Sequence, residues 1–142
     1  MSLVLAWADL RARLAAAALV SGGQPVPVCE PNTSFAAPPG NRPWLRADVS
    51  GGAGQPIELG AEAWEDQGMA FIDVLVRVGT GVDATAALVD ALKSAFRGPP
   101  FAPITYTRIA ADLVGSGDDD GEYFITSVRA EWRLTTHAIP RS

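Results

Sequence analysis

The clearest indication of the fold is the stretch GMAFIDVLVRVG, residues 68–79. Successive side chains of a strand point to opposite faces, and here every second side chain is apolar. We therefore predict a strand over 68–79 with one fully buried face. The opposite face mixes apolar and charged residues, which indicates that a helix or a neighbouring subunit covers part of it. The buried face comprises Ala70, Ile72, Val74, Val76 and Val78, and the mixed face comprises Phe71, Asp73, Leu75 and Arg77.

The first twenty residues have the periodicity of an amphipathic helix. Apolar side chains recur at steps of three and four, which places them along one stripe. Ser21-Gly22-Gly23 is expected to end this helix. Asp9 and Arg13 are four residues apart, so we expect a weak ion pair on its outer face. The predicted buried stripe is Leu3, Trp7, Leu10, Leu14 and Ala17 or Ala18.

A second helix is predicted after the central strand, because Leu88, Leu92 and Phe96 repeat every four residues. Thr80 or Asp83 is a suitable cap for its start. Its end is expected at Gly98, which two prolines follow.

The rest of the chain is predicted to add strands. Prolines at 25, 27, 31, 38 and 39 make 24–43 an extended arm with at most a short edge strand at 26–29. Alternating patterns predict further strands over 44–49, 55–59, 104–114 and 123–135, and 136–142 is expected to be a C-terminal tail. The order α-β-β-β-α-β-β predicts one α+β domain over 1–142, with two helices packed on one face of a mostly antiparallel sheet of four or five strands.

Composition limits the classes of function. The 11 Lys and Arg residues against 16 Asp and Glu give a net charge of −5, the wrong sign for binding nucleic acid by neutralising phosphates. One cysteine excludes an internal disulfide, and with one histidine a single chain cannot assemble a Cys/His metal cluster. Three charged residues interrupt the apolar start at 1–20, which predicts neither a membrane span nor a signal peptide.

No arrangement of residues predicts an active site. His137, the only imidazole, lies in a segment expected to fray, and Cys29 has no neighbouring cation that would favour its thiolate. Gly79-Thr80-Gly81 precedes a helix but lacks the spacing of a phosphate-binding loop. We therefore predict a protein that is not an enzyme and that uses no cofactor or metal.

Two further features leave alternatives open. Asp118, Asp119 and Asp120 offer oxygen ligands to a divalent cation, but a calcium loop has a different spacing, so a solvated hairpin tip is the preferred interpretation. Trp44 and Trp64 flank a glycine-rich stretch, where an aromatic residue serves equally well as an interface anchor or as local packing. Trp7 and Trp132 lie on apolar faces and are predicted to be core.

Short phrases occur in a fixed order along the chain. They include Pro31-Asn32-Thr33-Ser34-Phe35, Trp44-Leu45-Arg46, Val78-Gly79-Thr80-Gly81, Leu88-Val89-Asp90-Ala91-Leu92 and Tyr123-Phe124-Ile125-Thr126-Ser127-Val128. With this order and spacing, nearly the whole chain resembles the phage tail-terminator family of long-tailed bacteriophages and gene transfer agents.

The resemblance implies a structural virion protein with no catalytic residues. It implies a hexameric ring on the head-proximal end of the tail tube, which stops tube polymerisation and joins the tail to the head. The expected partners are copies of the same chain, the tail tube protein and a neck or head-completion protein, with no membrane. DNA would pass through the channel without tight binding. The expected location is the tail–neck junction of the virion, and the host cytoplasm during assembly.

Ring closure would bring sheet edges or mixed faces of adjacent subunits together in a repeated heterologous contact. Charged residues of the mixed faces would pair across that seam, Trp44 and Trp64 would reach the tube or the next ring, and Asp118–Asp120 would line the channel. The alternatives are another neck component, such as a stopper or head-tail connector, and a small ligand-binding domain or enzyme that uses the aspartate tip. The charged candidates are Asp73, Arg77, Arg129, Glu131 and Arg133.

Overall fold

A computed structural model describes residues 2–56, 63–99, 103–115 and 123–137. These residues form a five-stranded sheet with two helices packed on one face, which confirms the predicted α+β class. The elements are α1 Ser2–Ala17, β1 Val20–Ser21, β2 Gln24–Pro25, β3 Val28–Cys29, β4 Trp44–Pro56, β5 Ala63–Arg77, α2 Asp83–Arg97, β6 Thr105–Gly115 and β7 Tyr123–His137.

The strands of the sheet follow the order β3-β4-β5-β7-β6. All neighbours are antiparallel except β3, which pairs in parallel with the start of β4. The central pair β5 and β7 is in register from Ala63 opposite His137 to Arg77 opposite Tyr123. His137 is therefore the last residue of a strand, and the expectation that it lies in a frayed tail is wrong, because Ala63 supplies a paired neighbour for its backbone.

The core lies between the sheet and the helices. Helix α1 lies against β4 and α2, whereas α2 lies against β5, β6 and β7. Alternation correctly identified the buried face of β5, with one exception: Val78 lies beyond the strand and is 53 % exposed. The central layer consists of Ala47 and Val49 from β4, Ala70, Ile72 and Val74 from β5, Val128, Ala130 and Trp132 from β7, and Leu88, Leu92 and Phe96 from α2.

Gly68 allows the Trp132 indole to lie directly on the backbone of β5. A Cβ atom at Gly68 would be 2.2 Å from the Ser50 carbonyl oxygen and 2.6 Å from Cζ2 of Trp132. Both distances are far inside van der Waals contact, so no side chain fits between the tryptophan and the strand. The glycine at this position is therefore a packing requirement.

Helix α1 differs from its prediction in both its end and its buried face. It ends at Ala17, and Ala18 adopts a left-handed conformation with φ 47°. Gly22 and Gly23, with φ 58° and 77°, form the two-residue turn of the β1–β2 hairpin and do not end the helix. Leu3, predicted to be core, is 42 % exposed. The buried positions of α1 are Ala6, Asp9, Leu10 and Arg13.

Two other local predictions require correction. Helix α2 has Val82 as its N-cap residue with no side-chain cap, because the Thr80 hydroxyl instead donates to the Arg77 carbonyl at 2.8 Å in the preceding turn. The predicted strands over 44–49 and 55–59 are one strand, β4, with an irregularity between Gly51 and Gly54. Residues 57–59 and Asp118–Asp120 lie outside the described residues.

Candidate subunit interface

The face of the sheet that points away from the helices carries the charged residues singled out by the sequence. Alternation places every second residue of β4, β5, β7 and β6 on this outer face. Its middle is charged and partly exposed, whereas one end is apolar and buried. The outer face includes Arg46 and Asp48 of β4, Met69, Phe71 and Asp73 of β5, Ser127, Arg129, Glu131 and Arg133 of β7, and Arg108 and Asp112 of β6.

Neighbouring strands of one chain form ion pairs on this face. Arg46 and Asp73 are direct neighbours in the β4–β5 register, and Nη2 of the arginine lies 2.8 Å from Oδ2 of the aspartate. A second pair joins Arg129 to Asp112 between β7 and β6. These side chains are partly exposed to water, so each pair contributes at most about 1 kcal/mol to folding.

The apolar end of the outer face is covered by the proline-rich arm. Leu75, Tyr123 and Ile125 are buried there, with Trp44 packed against them. The Trp44 ring contacts Tyr123 edge-on at a centroid distance of 5.8 Å, and Phe35 from the arm contacts Trp44 at 5.0 Å. Trp44 is therefore packed between the arm and the sheet of its own chain.

Arg77 fastens the arm at the same end. Its guanidinium lies over the Tyr123 ring at 4.7 Å, and its Nε donates to the Gly40 carbonyl at 3.2 Å. Gly40 has φ 69°, a conformation in which a side chain would be strained. One arginine thus joins the aromatic cluster to the backbone of the arm.

The start of the arm is held to α1 by a bidentate ion pair. Arg11 donates to the two carboxylate oxygens of Glu30, with its Nη2 at 2.7 Å from Oε1 and its Nε at 2.9 Å from Oε2. The hydrogen bonds from Arg11 lower the pKa of Glu30. Between the arm and strands β4 and β5 lies a groove of about 450 Å³ that includes Cys29 and Phe71.

Trp64 lies at the opposite end of the sheet from Trp44. It is 43 % exposed and pairs with Pro56 near the start of β5, whereas Trp44 is opposite Leu75 near its end. By alternation Trp64 belongs to the same face as Ala70, on the helix side of the sheet. The two tryptophans that flank the glycine-rich stretch are therefore not part of one surface.

A buried polar cluster joins α1 to the end of α2. Nε of Arg13 lies 2.6 Å from Oδ2 of Asp9, and both side chains are at most 2 % exposed. The Nη1 group of Arg13 donates to carbonyl oxygens at the end of α2, where the last turn of a helix leaves acceptors unsatisfied. These acceptors are Ala95 at 2.9 Å, Phe96 at 3.1 Å and Gly98 at 2.9 Å. The Ala95 oxygen also accepts from the Gly98 amide at 3.4 Å.

Tyr106 of β6 forms the third side of this cluster. The Arg13 guanidinium lies over its ring at 4.9 Å, and Phe96 contacts the ring at 4.8 Å. Burial raises the pKa of Tyr106, and the nearby Asp9 carboxylate raises it further. The cluster thus connects both helices to an edge strand of the sheet.

A family model described as phage tail terminator protein matches residues 6–132. This chain belongs to the phage tail terminator family. It is accordingly a structural protein of the phage tail and a component of the virion tail. No curated protein matches the sequence.

A solved structure agrees with the fold of this tail terminator over its whole length. It superposes with a TM-score of 0.70 at 19 % sequence identity, and the alignment covers 99 % of this chain and 99 % of that chain. At this identity the likeness concerns the fold alone. It includes the sheet, both helices and the segment between α1 and β4.

The candidate interface residues of the tail terminator already have contacts within the chain. Asp73 contacts Arg46, Arg129 contacts Asp112, and Nη1 of Arg133 lies 3.6 Å from Oε1 of Glu65. Glu131 lines a small pocket of about 170 Å³ beside Arg129 and Arg108. Ion pairing of these charges across a subunit seam therefore remains a prediction, and it would have to extend or replace intrachain pairs.

Sequence reasoning missed the burial of Asp9 and Arg13. Their spacing of four residues predicted an ion pair, but the expectation that it lies on the outer face of α1 is wrong. The pair is buried because the carbonyl groups at the end of α2 offer Arg13 partners that the local sequence does not reveal. No local signal separates Arg13 from Arg11, the other arginine of α1, which is exposed.

Neither a metal-binding group of side chains nor a helix able to cross a membrane occurs among the described residues. Across 2–56, 63–99, 103–115 and 123–137, no three His, Cys, Asp or Glu side chains are placed together to hold a metal ion. No helix in that part of the chain has the length and apolar character needed to cross a membrane.

Proposed function

We propose that this tail terminator assembles as a hexameric ring on the head-proximal end of a tail tube, in a phage or a gene transfer agent. The ring stops tube polymerisation and provides the surface that neck proteins of the head bind. It forms in the host cytoplasm during particle assembly. The family match over residues 6–132 carries this proposal, because it includes α2, most of α1 and all or most of each of the five strands of the sheet.

The shape of the subunit supports a role in assembly. Strands β5 and β7 are each 15 residues long, and at their far end Trp64 is left exposed. Such a long, partly charged sheet offers edges and a face to neighbouring copies. A closed ring requires a heterologous contact in which two different surfaces of the subunit meet.

The charge of the protein suits a channel for DNA. With a net charge of −5, a ring of identical subunits repels the phosphate backbone overall, so the duplex moves past without being held. The ion pairs on the outer face support the same function, because Arg46 and Arg129 are neutralised by acidic residues of their own chain.

The experiment is deletion of the protein from the particle that encodes it, followed by negative-stain microscopy. We expect abnormally long tubes without attached heads, and normal tails on complementation with the wild-type chain. Native mass measurement of the protein, alone and with tail tubes, gives the copy number. Tails of normal length joined to heads in the deletion would contradict the proposal. Labelled protein found only on the portal side would favour a stopper or head-tail connector.

A further inference from the structure

The two edge strands of the sheet are open in the described part of the chain. Strand β3 pairs with β4 only at Leu45 and Arg46, along the edge of β4 that faces away from β5. Beyond Arg46, β4 continues to Pro56 and no described strand pairs with this edge. On the other side of the sheet, β6 pairs with β7, and among the described residues no strand pairs with its outer edge. Two rows of backbone donors and acceptors therefore remain available, on strands of similar length.

The direction of the backbone groups on β4 follows from one hydrogen bond. The Leu45 amide donates to the Pro27 carbonyl at 2.9 Å, so it points away from β5. In an antiparallel strand every second residue points the same way, which places the Val49 amide on the open edge. That amide donates to Oδ1 of Asp48 at 2.8 Å. In the isolated subunit the charged Asp48 side chain therefore accepts the hydrogen bond of the Val49 amide at this edge.

Strand β6, at the opposite edge of the sheet, runs antiparallel to β4 and has an outward-pointing amide at the corresponding position. Strands β4, β5, β7 and β6 alternate in direction, so β6 is antiparallel to β4. The row Val49, Ala70, Ala130 and Ile109 crosses the sheet in register. Because hydrogen-bonded and non-hydrogen-bonded pairs alternate along this row, the Ile109 amide also points outward.

We propose that neighbouring copies of this chain join by antiparallel pairing of β6 from one copy with the open part of β4, residues 47–56, from the next. The proposal rests on the ring proposed above and specifies its seam. A cyclic repeat keeps all subunits in one orientation and brings these two edges together in the antiparallel sense. The sheet then continues from copy to copy around the ring.

The charges beside the two edges are complementary. On the outer face of the open part of β4, the charged residue is Asp48. On β6 they are Arg108 and Asp112, and Asp112 is already paired with Arg129. Arg108 is exposed and forms no ion pair within the described residues. An approaching Arg108 attracts the Asp48 carboxylate away from the Val49 amide and frees that donor for the incoming strand.

Cysteine crosslinking tests the seam. In a Cys29→Ser background, Ser50→Cys on β4 is combined in turn with Arg108→Cys, Ala110→Cys or Asp112→Cys on β6, so that three registers are sampled. Within one copy, β4 and β6 are separated by three strand spacings, roughly 14 Å. A disulfide cannot span more than about 7 Å between Cα atoms. Any disulfide between these positions therefore joins two copies.

We expect at least one pair to give a ladder of covalent oligomers under mild oxidation, up to the copy number found by native mass. Each single-cysteine variant should stay monomeric on a non-reducing gel, because the contact joins two different edges. Rings or tube-end caps that form normally but crosslink with none of the three pairs would overturn this seam and leave the proposed function standing. A disulfide-linked dimer of the Ser50→Cys single variant would overturn it as well, because it would bring two β4 edges together. Failure to form a ring, free or on tail tubes, would overturn both.

Discussion

The Arg13 guanidinium and the Asp9 carboxylate form a 2.6 Å ion pair on one turn of α1, and the same arginine also binds the last carbonyl groups of α2. A buried ion pair is costly to desolvate unless further hydrogen bonds satisfy it. Here those bonds come from the end of a neighbouring helix, where the helix dipole favours a cation. The pair therefore fixes the position of the two helices relative to each other.

Loss of the Arg13 side chain is expected to destabilise the subunit strongly. Arg13→Met leaves Asp9 buried without its charged partner and should lower the free energy of unfolding by about 3–5 kcal/mol. The measurement is urea unfolding followed by circular dichroism. Arg11→Met on the same helix is the matched control: its pair with Glu30 is exposed, so we expect a loss below about 1 kcal/mol. Equal losses in the two variants would contradict the assignment.

Tyr106 should make the protein less stable at alkaline pH. Burial, aided by Asp9, raises the pKa of Tyr106 above its ordinary value of 10.0. Above pH 10 the unfolded chain releases this proton while the folded chain retains it, so stability falls as pH rises. Relative to Tyr106→Phe, the wild type should lose up to about 1.4 kcal/mol more between about pH 8 and about pH 11. Parallel pH profiles for the two proteins would show that the phenol is not protected.

The close packing of Trp132 on Gly68 predicts a specific intolerance. Gly68→Ala introduces a Cβ that overlaps the Ser50 carbonyl and the indole, and should cost about 1–3 kcal/mol. Gly51→Ala is the control, because its Cβ would meet only Leu3 at 3.9 Å. Thermal unfolding should separate the two variants by several degrees. A Gly68→Ala protein as stable as the wild type would refute the packing argument.

The two tryptophans at opposite ends of the sheet should separate folding from assembly. Trp44→Ala removes a ring packed between Phe35 and Tyr123 and should destabilise the isolated subunit by about 3 kcal/mol. Trp64→Ala changes an exposed ring and should alter stability by less than about 1 kcal/mol, while reducing binding to tail tubes. Unfolding curves and co-sedimentation with tubes provide the two measurements. Normal tube binding by Trp64→Ala would remove Trp64 from the interface.

Affinity for DNA should be low even in dilute salt. The net charge of −5 and the pairing of Arg46 and Arg129 within the chain leave little to neutralise phosphates. We expect no shift of a duplex fragment in a gel assay at about 50 mM salt and micromolar protein. Tight binding under these conditions would contradict a channel that lets DNA pass.

Alternation and helical periodicity were sufficient for the sheet and both helices, because burial of one face leaves a repeat in the sequence. These patterns did not predict the burial of side chains whose contacts lie far away in the sequence. The buried side of α1 was misassigned since Asp9 and Arg13 depend on carbonyl groups more than eighty residues away. The β1–β2 hairpin was missed because its strands are only 2 residues long.

The sequence predicts which candidate interface residues share a face of the sheet, but not which residues they contact. Period-two spacing correctly grouped Asp73 with Arg77, and Arg129 with Glu131 and Arg133, on the mixed side of the sheet. Their intrachain partners depend on strand register, which the sequence does not specify. The role of Trp44 was undecidable for the same reason, since Phe35 meets it only after the arm folds back across the sheet.

The fastened arm makes the two ends of the strands chemically unlike. At one end lie Phe35, Trp44 and Tyr123 with the turn after Arg77, and at the other lie Pro56, Trp64 and the last residue of β7. Any annulus whose axis follows the strands therefore has two dissimilar rims. Each rim suits a different neighbouring protein, so such a ring binds in a single orientation.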